Sequence, residues 1–339
     1  MKHKLYIQEP FSGGILLTYK CTNECRHCMY SCSPQWKADW LSEKDAETIL
    51  TNLSRKIRAS LYGSNKIGMN FGLHFTGGEP FLNFDLLLTV VQIAAELKIP
   101  STFVETNCFW CIEDENTKNK FMFLKDAGLK GLLISVNPFI IEDVPFERTE
   151  RAVRIGREVF GRNVIVYQEL FYQLFKRLGI KGTLPFQEYV NKAGESLNYI
   201  ELIPMGRAVY TLEYLFRKYP ARKFFGKSCV GELTRPWHVH IDNYCNYMTG
   251  YCGGISLGDA RNLDLICQGI DLAEYPILEA LATDIKGLYE LAIRESGYRE
   301  KKEGYISQCH LCVDMRKHLA QQTDTFKELK PREFYFYLD

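Results

Sequence analysis

The sequence has no apolar run of the ~18 residues that a membrane-spanning helix needs. Its first residues, Met1-Lys-His-Lys-Leu-Tyr6, have neither the apolar core nor the cleavage site of a secretory leader. Together these absences predict a cytoplasmic protein without a membrane partner. An excess of one charge is also missing: 42 Lys and Arg stand against 41 Asp and Glu, a net charge of +1. That balance gives no general pull toward nucleic acid or an acidic surface. The small basic clusters Arg217-Lys218 and Arg222-Lys223 read as a solvated loop. There are no internal repeats or low-complexity segments. A glycine-rich adenine loop is missing too, since Gly179-Ile-Lys-Gly182 is too short. A reducing cytosol leaves no place for disulfides. The twelve cysteines are therefore read as metal ligands or reactive thiols. What is present is ample core material, 46% hydrophobic residues in 339, enough for one large and one small domain.

Three of the cysteines fall in one tight loop, Cys21-Thr-Asn-Glu-Cys25-Arg-His-Cys28, directly after an apolar strand-like stretch. Thiolates are soft ligands that suit zinc or iron–sulfur clusters. A cubane normally takes four cysteines, so three leave one iron open, and an open position marks a catalytic site. The spacing also allows a zinc knob completed by Cys32 or His27, or buried free thiols. A second stretch, Met69 to Phe75, reads as a strand and runs into Thr76-Gly77-Gly78-Glu79-Pro80. Gly77 and Gly78 let the backbone approach a ligand closely, and Glu79 offers a carboxylate for an ammonium group. Taken alone this is an ordinary strand-to-helix turn.

Together the two stretches resemble the radical S-adenosylmethionine superfamily, with its CxxxCxxC loop after the first strand and its GGE-type motif after the second. The resemblance implies that Cys21, Cys25 and Cys28 hold a catalytic [4Fe-4S] cluster. The open iron would take the amino and carboxylate groups of S-adenosyl-L-methionine, with Glu79 and nearby backbone holding the ammonium. It also implies an anoxic working environment and an electron donor such as flavodoxin or ferredoxin.

Strand and helix signals alternate onward. A capping box at Ser42-Glu-Lys-Asp45 starts a helix with Ala46, Ile49, Leu50 and Leu53 on one face. Phe84 to Leu97 is helical. Thr102–Asn107, Gly131–Val136, Asn163–Gln168 and Leu197–Ile203 read as strands three to six, with helices between them. Six strand–helix units predict a parallel sheet with right-handed crossovers, too few for the closed eight-unit barrel. The fold class is α/β, an open (βα)6 partial TIM barrel, which the resemblance also implies. Sites in such sheets lie at the carboxyl ends of strands, where Cys21, Glu79, Asn107, Ser135 and Gln168 fall. Asn107 and Ser135 join Gly77, Gly78 and Glu79 as candidate cofactor-binding residues.

Alternation stops after about Lys223. The predicted division is 1–225 for the barrel and 226–339 for a small cysteine-rich α+β domain. Cys229, Cys245, Cys252 and the pair Cys309-His-Leu-Cys312 lie there. Their order resembles the SPASM/twitch auxiliary-cluster domain that follows some radical S-adenosylmethionine barrels. The resemblance implies Cys229, Cys252, Cys309 and Cys312 as ligands of one auxiliary [4Fe-4S] cluster. The full pattern has seven cysteines, so one cluster is expected rather than two. A zinc ribbon remains the other reading of a CxxC-containing set. Cys245 is read as a ligand, as a spare buried thiol, or as a catalytic hydrogen-atom donor at the barrel mouth.

Cys108 and Cys111 form another CxxC, with Cys108 where the family often has glycine. Cys32 and Cys267 read as packing residues, His238 and His240 as structural histidines with metal binding as the alternative, and His74, just before the glycine motif, as a residue that reaches the cavity. The predicted activity is reductive cleavage of S-adenosylmethionine to a 5′-deoxyadenosyl radical that takes a hydrogen atom from substrate. A peptide or protein side chain is the expected target, by oxidation, cross-linking or epimerisation. The alternatives are rearrangement or dehydrogenation of a small molecule and, in another class, a non-catalytic iron–sulfur carrier or zinc-binding protein.

Overall fold

A computed structural model describes residues 4–339. They pack as two compact units, one of 11–25 and 32–201, the other of 26–31 and 202–339 together with 4–10.

The first unit alternates as its sequence predicts. Strand β1 (Ser12–Leu16) leads to helix α1 (Glu43–Ser54), then β2 (Gly72–Thr76), α2 (Phe84–Glu96), β3 (Phe103–Thr106) and α3 (Asp114–Asp126). β4 (Gly131–Ser135), α4 (Phe146–Phe160), β5 (Val164–Tyr167), α5 (Glu169–Arg177) and α6 (Phe186–Ala193) complete it. The strands pair in parallel, each with the next in sequence. Ser42 caps α1: its Oγ accepts from the Asp45 amide at 3.1 Å and donates to the Asp45 carboxylate at 2.7 Å. Leu73, Phe75, Val104, Leu132 and Ile134 point to one face of the sheet and are fully buried. α4 packs on β4 and β5.

The predicted sixth strand is not formed. Gly194–Tyr199 is a 3-10 helix, followed by extended chain. A strand continuing a parallel sheet must bury both faces. This segment is too polar for that, and Tyr199 is 73% exposed. The open parallel α/β sheet stands, with five parallel strands among the described residues.

In the second unit a short antiparallel hairpin pairs β6 (Val239–Ile241) with β7 (Tyr247–Met248). Asp242 shapes its turn, its carboxylate accepting from the Tyr244 amide at 3.0 Å, the Asn246 amide at 2.8 Å and Asn246 Nδ2 at 3.0 Å. Helices α7 (Pro276–Thr283), α8 (Ile285–Ser296) and α9 (Gln308–Gln322) follow, α8 packing on both neighbours. Ser307 caps α9 by accepting from the His310 amide at 3.0 Å. The 26–31 segment is anchored in the same unit. The Cys28 carbonyl accepts from the Arg207 amide at 3.0 Å. A Cβ on Gly206, at φ +54°, would lie 2.5 Å from that carbonyl oxygen. Among the described residues, no helix is long and apolar enough to cross a membrane.

Gly77 and Gly78 have a structural reason to be glycine. A Cβ on Gly78 would stand 1.9 Å from the Lys20 carbonyl oxygen, and one on Gly77 (φ +134°) 2.4 Å from that of Thr18. The close approach is between the end of β2 and the chain leaving β1. Gly78→Ala should therefore destabilise the protein by ~2 kcal/mol or more, because backbone has to move. Gly231→Ala, where no atom lies within 4 Å of the new Cβ, should stay within about 0.5 kcal/mol of wild type. Denaturant unfolding of the two variants checks this; equal midpoints would mean the strand end yields freely.

Candidate functional site

In the first unit the candidate residues converge on Glu79. Its peptide N–H donates to the Lys20 carbonyl at 3.0 Å, and that of Gly78 to Thr18 at 2.7 Å. Its side chain is fully buried. One carboxylate oxygen accepts from Thr106 Oγ1 at 3.0 Å and the Phe81 amide at 3.2 Å; the other accepts from the Asn107 amide at 2.8 Å. Burial pushes the carboxyl up to about 7, against these donors, which favour the ionised form. Asn107 continues the network. Its Nδ2 faces Thr22 Oγ1 and Asn23 Oδ1, both at 3.1 Å, and lies 3.8 Å from Cys21 Sγ. The end of β2, the end of β3 and the start of the cysteine loop are thus bound into one knot. Cys21 and Cys25 belong to this unit, and Cys28 to the 26–31 segment of the other.

Ser135 ends β4, half-buried, paired in register with Tyr167. The register puts Thr76, Glu105, Ser135 and Tyr167 on one face of the sheet, and all four are partly exposed. Glu105 accepts from Thr76 Oγ1 at 2.8 Å and lies 3.5 Å from His74 Nε2. Sequence reasoning missed Glu105. The available signal was a charged residue inside an otherwise apolar strand, Phe103-Val-Glu-Thr106. Gln168 caps α5 in the left-handed region, at φ +63°, and its Oε1 accepts from the Glu201 amide at 3.2 Å.

Cys108 and Cys111 are fully buried in a turn closed by the Cys111 amide on the Cys108 carbonyl at 3.0 Å. Cys108 has φ +66°. This is the backbone region that glycine enters without cost, and the physical reason a glycine suits the position. Burial, then the Cys111 thiol and Glu79, raise the Cys108 thiol well above its ordinary value, so it stays protonated and unreactive.

In the second unit four thiols line one pocket: Cys229, Cys252, Cys309 and Cys312, with Met205, Gly206 and Arg316 also lining it. Cys309 and Cys312 come from the first turns of α9, and burial raises the Cys309 thiol well above its ordinary value. Cys229 precedes the hairpin and accepts from Gln308 Nε2 at 3.2 Å. Burial pushes the Cys229 thiol up to about 12, helped by Cys312 and Cys252. Burial likewise pushes Cys252 up to about 11, with Arg316 pulling the other way. The donor set is soft, four-membered and gathered on one cavity, which fits a four-cysteine cluster or a tetrahedral zinc ion.

Cys245 does not line this pocket. It sits in the β6–β7 turn at φ +65°, 3% exposed, its amide donating to the Asp242 carbonyl at 2.9 Å. It thus lies outside the four-thiol pocket, and its thiol is buried rather than exposed. His240, which shares that hairpin, is held neutral, first by burial and then by His238.

Residues 14–135 match the family model of the 4Fe-4S single cluster domain. The matched segment is 122 of the 339 residues. It contains Cys21, Cys25, Cys28 and the whole Glu79 network. No curated protein matches the chain. Among solved structures, the chain is similar to BtrN in complex with AdoMet and 2-DOIA, at 12% identity and TM-score 0.42, covering 83% of this chain and 90% of that one. It is also similar to native anSMEcpe with bound AdoMet, at 13% identity and TM-score 0.45, over 90% and 95% of the two chains. A third is Streptococcus suis SuiB bound to precursor peptide SuiA, at 13% identity and TM-score 0.37, over 91% and 76%. At these values the functional argument rests on the matched segment and the residues themselves.

Two outcomes are expected of the four-thiol pocket. Cys309→Ala should lose the metal bound in the second unit, while Cys245→Ala keeps it, as read by metal analysis after anaerobic reconstitution. Because buried thiols must shed protons to ligate, metal affinity of the stripped protein should fall more than tenfold for each unit that pH is lowered below neutral. A competition titration at several pH values measures this, and a flat profile would mean that the thiols are not the ligands.

Proposed function

We propose that the chain is a radical S-adenosylmethionine enzyme that modifies a peptide or protein side chain. The observation that carries this is the knot at Glu79. A Gly-Gly-Glu turn after one strand is hydrogen-bonded to the residue before the first cysteine of a CxxxCxxC loop. Asn107 bridges the two, its amide on the Glu79 carboxylate and its Nδ2 toward Cys21 Sγ. Cys21, Cys25 and Cys28 are the proposed ligands of the catalytic cluster. When bound, that cluster supplies the electron that cleaves S-adenosylmethionine to the 5′-deoxyadenosyl radical, with the electron coming from a flavodoxin or ferredoxin.

The chain's own residues bind and orient. The Glu79 carboxylate accepts from Thr106, Phe81 and Asn107, which fixes its position for an ammonium group on a remaining lone pair. A cation there would pull its raised pKa down, so ammonium binding and ionisation of Glu79 favour each other. Gly77 and Gly78 bring that carboxylate against the cysteine loop. Ser135, at the end of β4, is the further proposed cofactor contact. Thr76, Glu105 and Tyr167 share its face of the sheet, where a substrate side chain would lie. Cys229, Cys252, Cys309 and Cys312 are proposed to hold one auxiliary [4Fe-4S] cluster. The peptide assignment follows from the likeness of that cysteine order to auxiliary-cluster enzymes acting on peptides.

Anaerobically reconstituted protein should hold about eight irons, two cubanes. Replacing Cys21, Cys25 and Cys28 together with alanine should remove about four and abolish formation of 5′-deoxyadenosine from S-adenosylmethionine. Persistence of that product in the triple variant would reject the assignment. Glu79→Gln should keep its iron but bind S-adenosylmethionine at least tenfold more weakly, the loss of a hydrogen bond between charged groups. Equal affinities by titration would reassign Glu79 to holding the strand ends alone.

A further inference from the structure

Arg316 is a buried cation without a carboxylate. It is 5% exposed, and no salt bridge to an acid engages it among the described residues. Its Nη1 donates to the Gly253 carbonyl at 3.0 Å and to Tyr335 Oη at 2.8 Å, both neutral groups. Its Nε is buried with no hydrogen-bond partner. Burying an unpaired guanidinium is among the costlier things a fold can do. A protein keeps one where an anion is to be met.

The anion is identified by position. Arg316 follows Cys312 by four residues and Cys309 by seven along α9, so the three side chains share one helix face. It lines the same pocket as Cys229, Cys252, Cys309 and Cys312. Among the described residues no carboxylate pairs with Arg316. Metal binding forces four deprotonations. Four thiolates around a [4Fe-4S] core of charge 2+ leave a net charge of −2, and one-electron reduction makes it −3.

We propose that Arg316 is the counter-ion of the four-thiolate site and that its fixed charge favours the reduced form of the cluster held there. This rests on the auxiliary-cluster reading given above. Arg316 is a positioning and tuning residue: it ligates nothing and touches no reacting atom. Its charge counts for more in this buried pocket than it would in water. Gln308, whose Nε2 points at Cys229 Sγ, adds a neutral donor to the same set.

The test uses the full chain with Cys21, Cys25 and Cys28 replaced by serine, so that only the second site holds a cluster. Arg316→Gln and Arg316→Lys are made in that background and reconstituted anaerobically. Iron is counted, and the midpoint of the one-electron reduction by dithionite is read by EPR. Arg316→Gln should keep its iron and be harder to reduce by at least tenfold in the reduction equilibrium, about 59 mV for one electron. Arg316→Lys, which keeps the charge, should lie within about a third of that shift. An unchanged midpoint in Arg316→Gln, with iron retained, overturns the proposal and leaves the cluster reading standing. If Arg316→Gln holds no iron, then iron retained by Arg316→Lys supports the counter-ion role, and iron lost by both overturns it. Iron content that Cys309→Ala leaves unchanged in the same background removes the cluster reading, and this proposal with it.

Discussion

The carboxylate of Glu79 is the constraint on which the first unit's functional end depends. It is fully buried, and its donors come from the turn after its own strand and from the end of the next. A buried carboxylate without donors is expelled or neutralised. Here the donors are the loop residues themselves, so the strand ends hold the carboxylate and it holds them. Its own amide then fixes the chain entering the cysteine loop. A short loop of ligands can be pre-arranged only if its entry point is rigid. The glycines before Glu79 serve that same contact, because any side chain there would push the two strand ends apart.

The second unit meets the opposite difficulty. Its four thiols are drawn together by a helix start, the chain after a hairpin and the chain before it, and burial raises the thiols of Cys229, Cys252 and Cys309. The unit therefore stores a preference for an ion in two ways. Thiols are pressed together at a cost that ligation removes, and a guanidinium beside them has nothing to pair with until they ionise.

Much of this was legible beforehand, for reasons that differ by residue. The parallel strands could be found because each is a short apolar run bounded by turn residues, and the Ser42 cap because its hydroxyl and Asp45 stand at the spacing a helix start requires. Leu197 to Ile203 misled because Leu, Tyr, Ile and Leu alternate there like a strand, whereas the missing quantity, burial on both faces, is not local. Cys229, Cys252, Cys309 and Cys312 could be grouped only through the resemblance of their order to an auxiliary-cluster domain, since Gln308, beside Cys229, lies 79 positions further along the chain. Glu105 gives no pattern because it is a single charged residue in an apolar strand, and Arg316 gives none because it stands beside Asp314 and Lys317 in a helix of mixed polarity. The meaning of each comes from neighbours that only folding supplies. Gly77 and Gly78 were recognised as a place of close approach, but the partner in that approach, the chain's own Thr18 to Lys20 backbone, was not readable.

The packing units are interleaved along the chain: 26–31 packs with 202–339, while everything from 32 to 201 packs elsewhere. On a ribosome this ordering matters. At about 5–20 residues per second, the intervening ~170 residues take roughly 10–35 s to emerge. During that interval Cys21 and Cys25 can enter a folded unit, while Cys28 must wait for Gly206 and Arg207 to be made. The triplet is contiguous in sequence but completed late in time. A nascent chain thus passes through a stage with two thiols in place and one loose, and metal acquired then would meet an incomplete set of ligands.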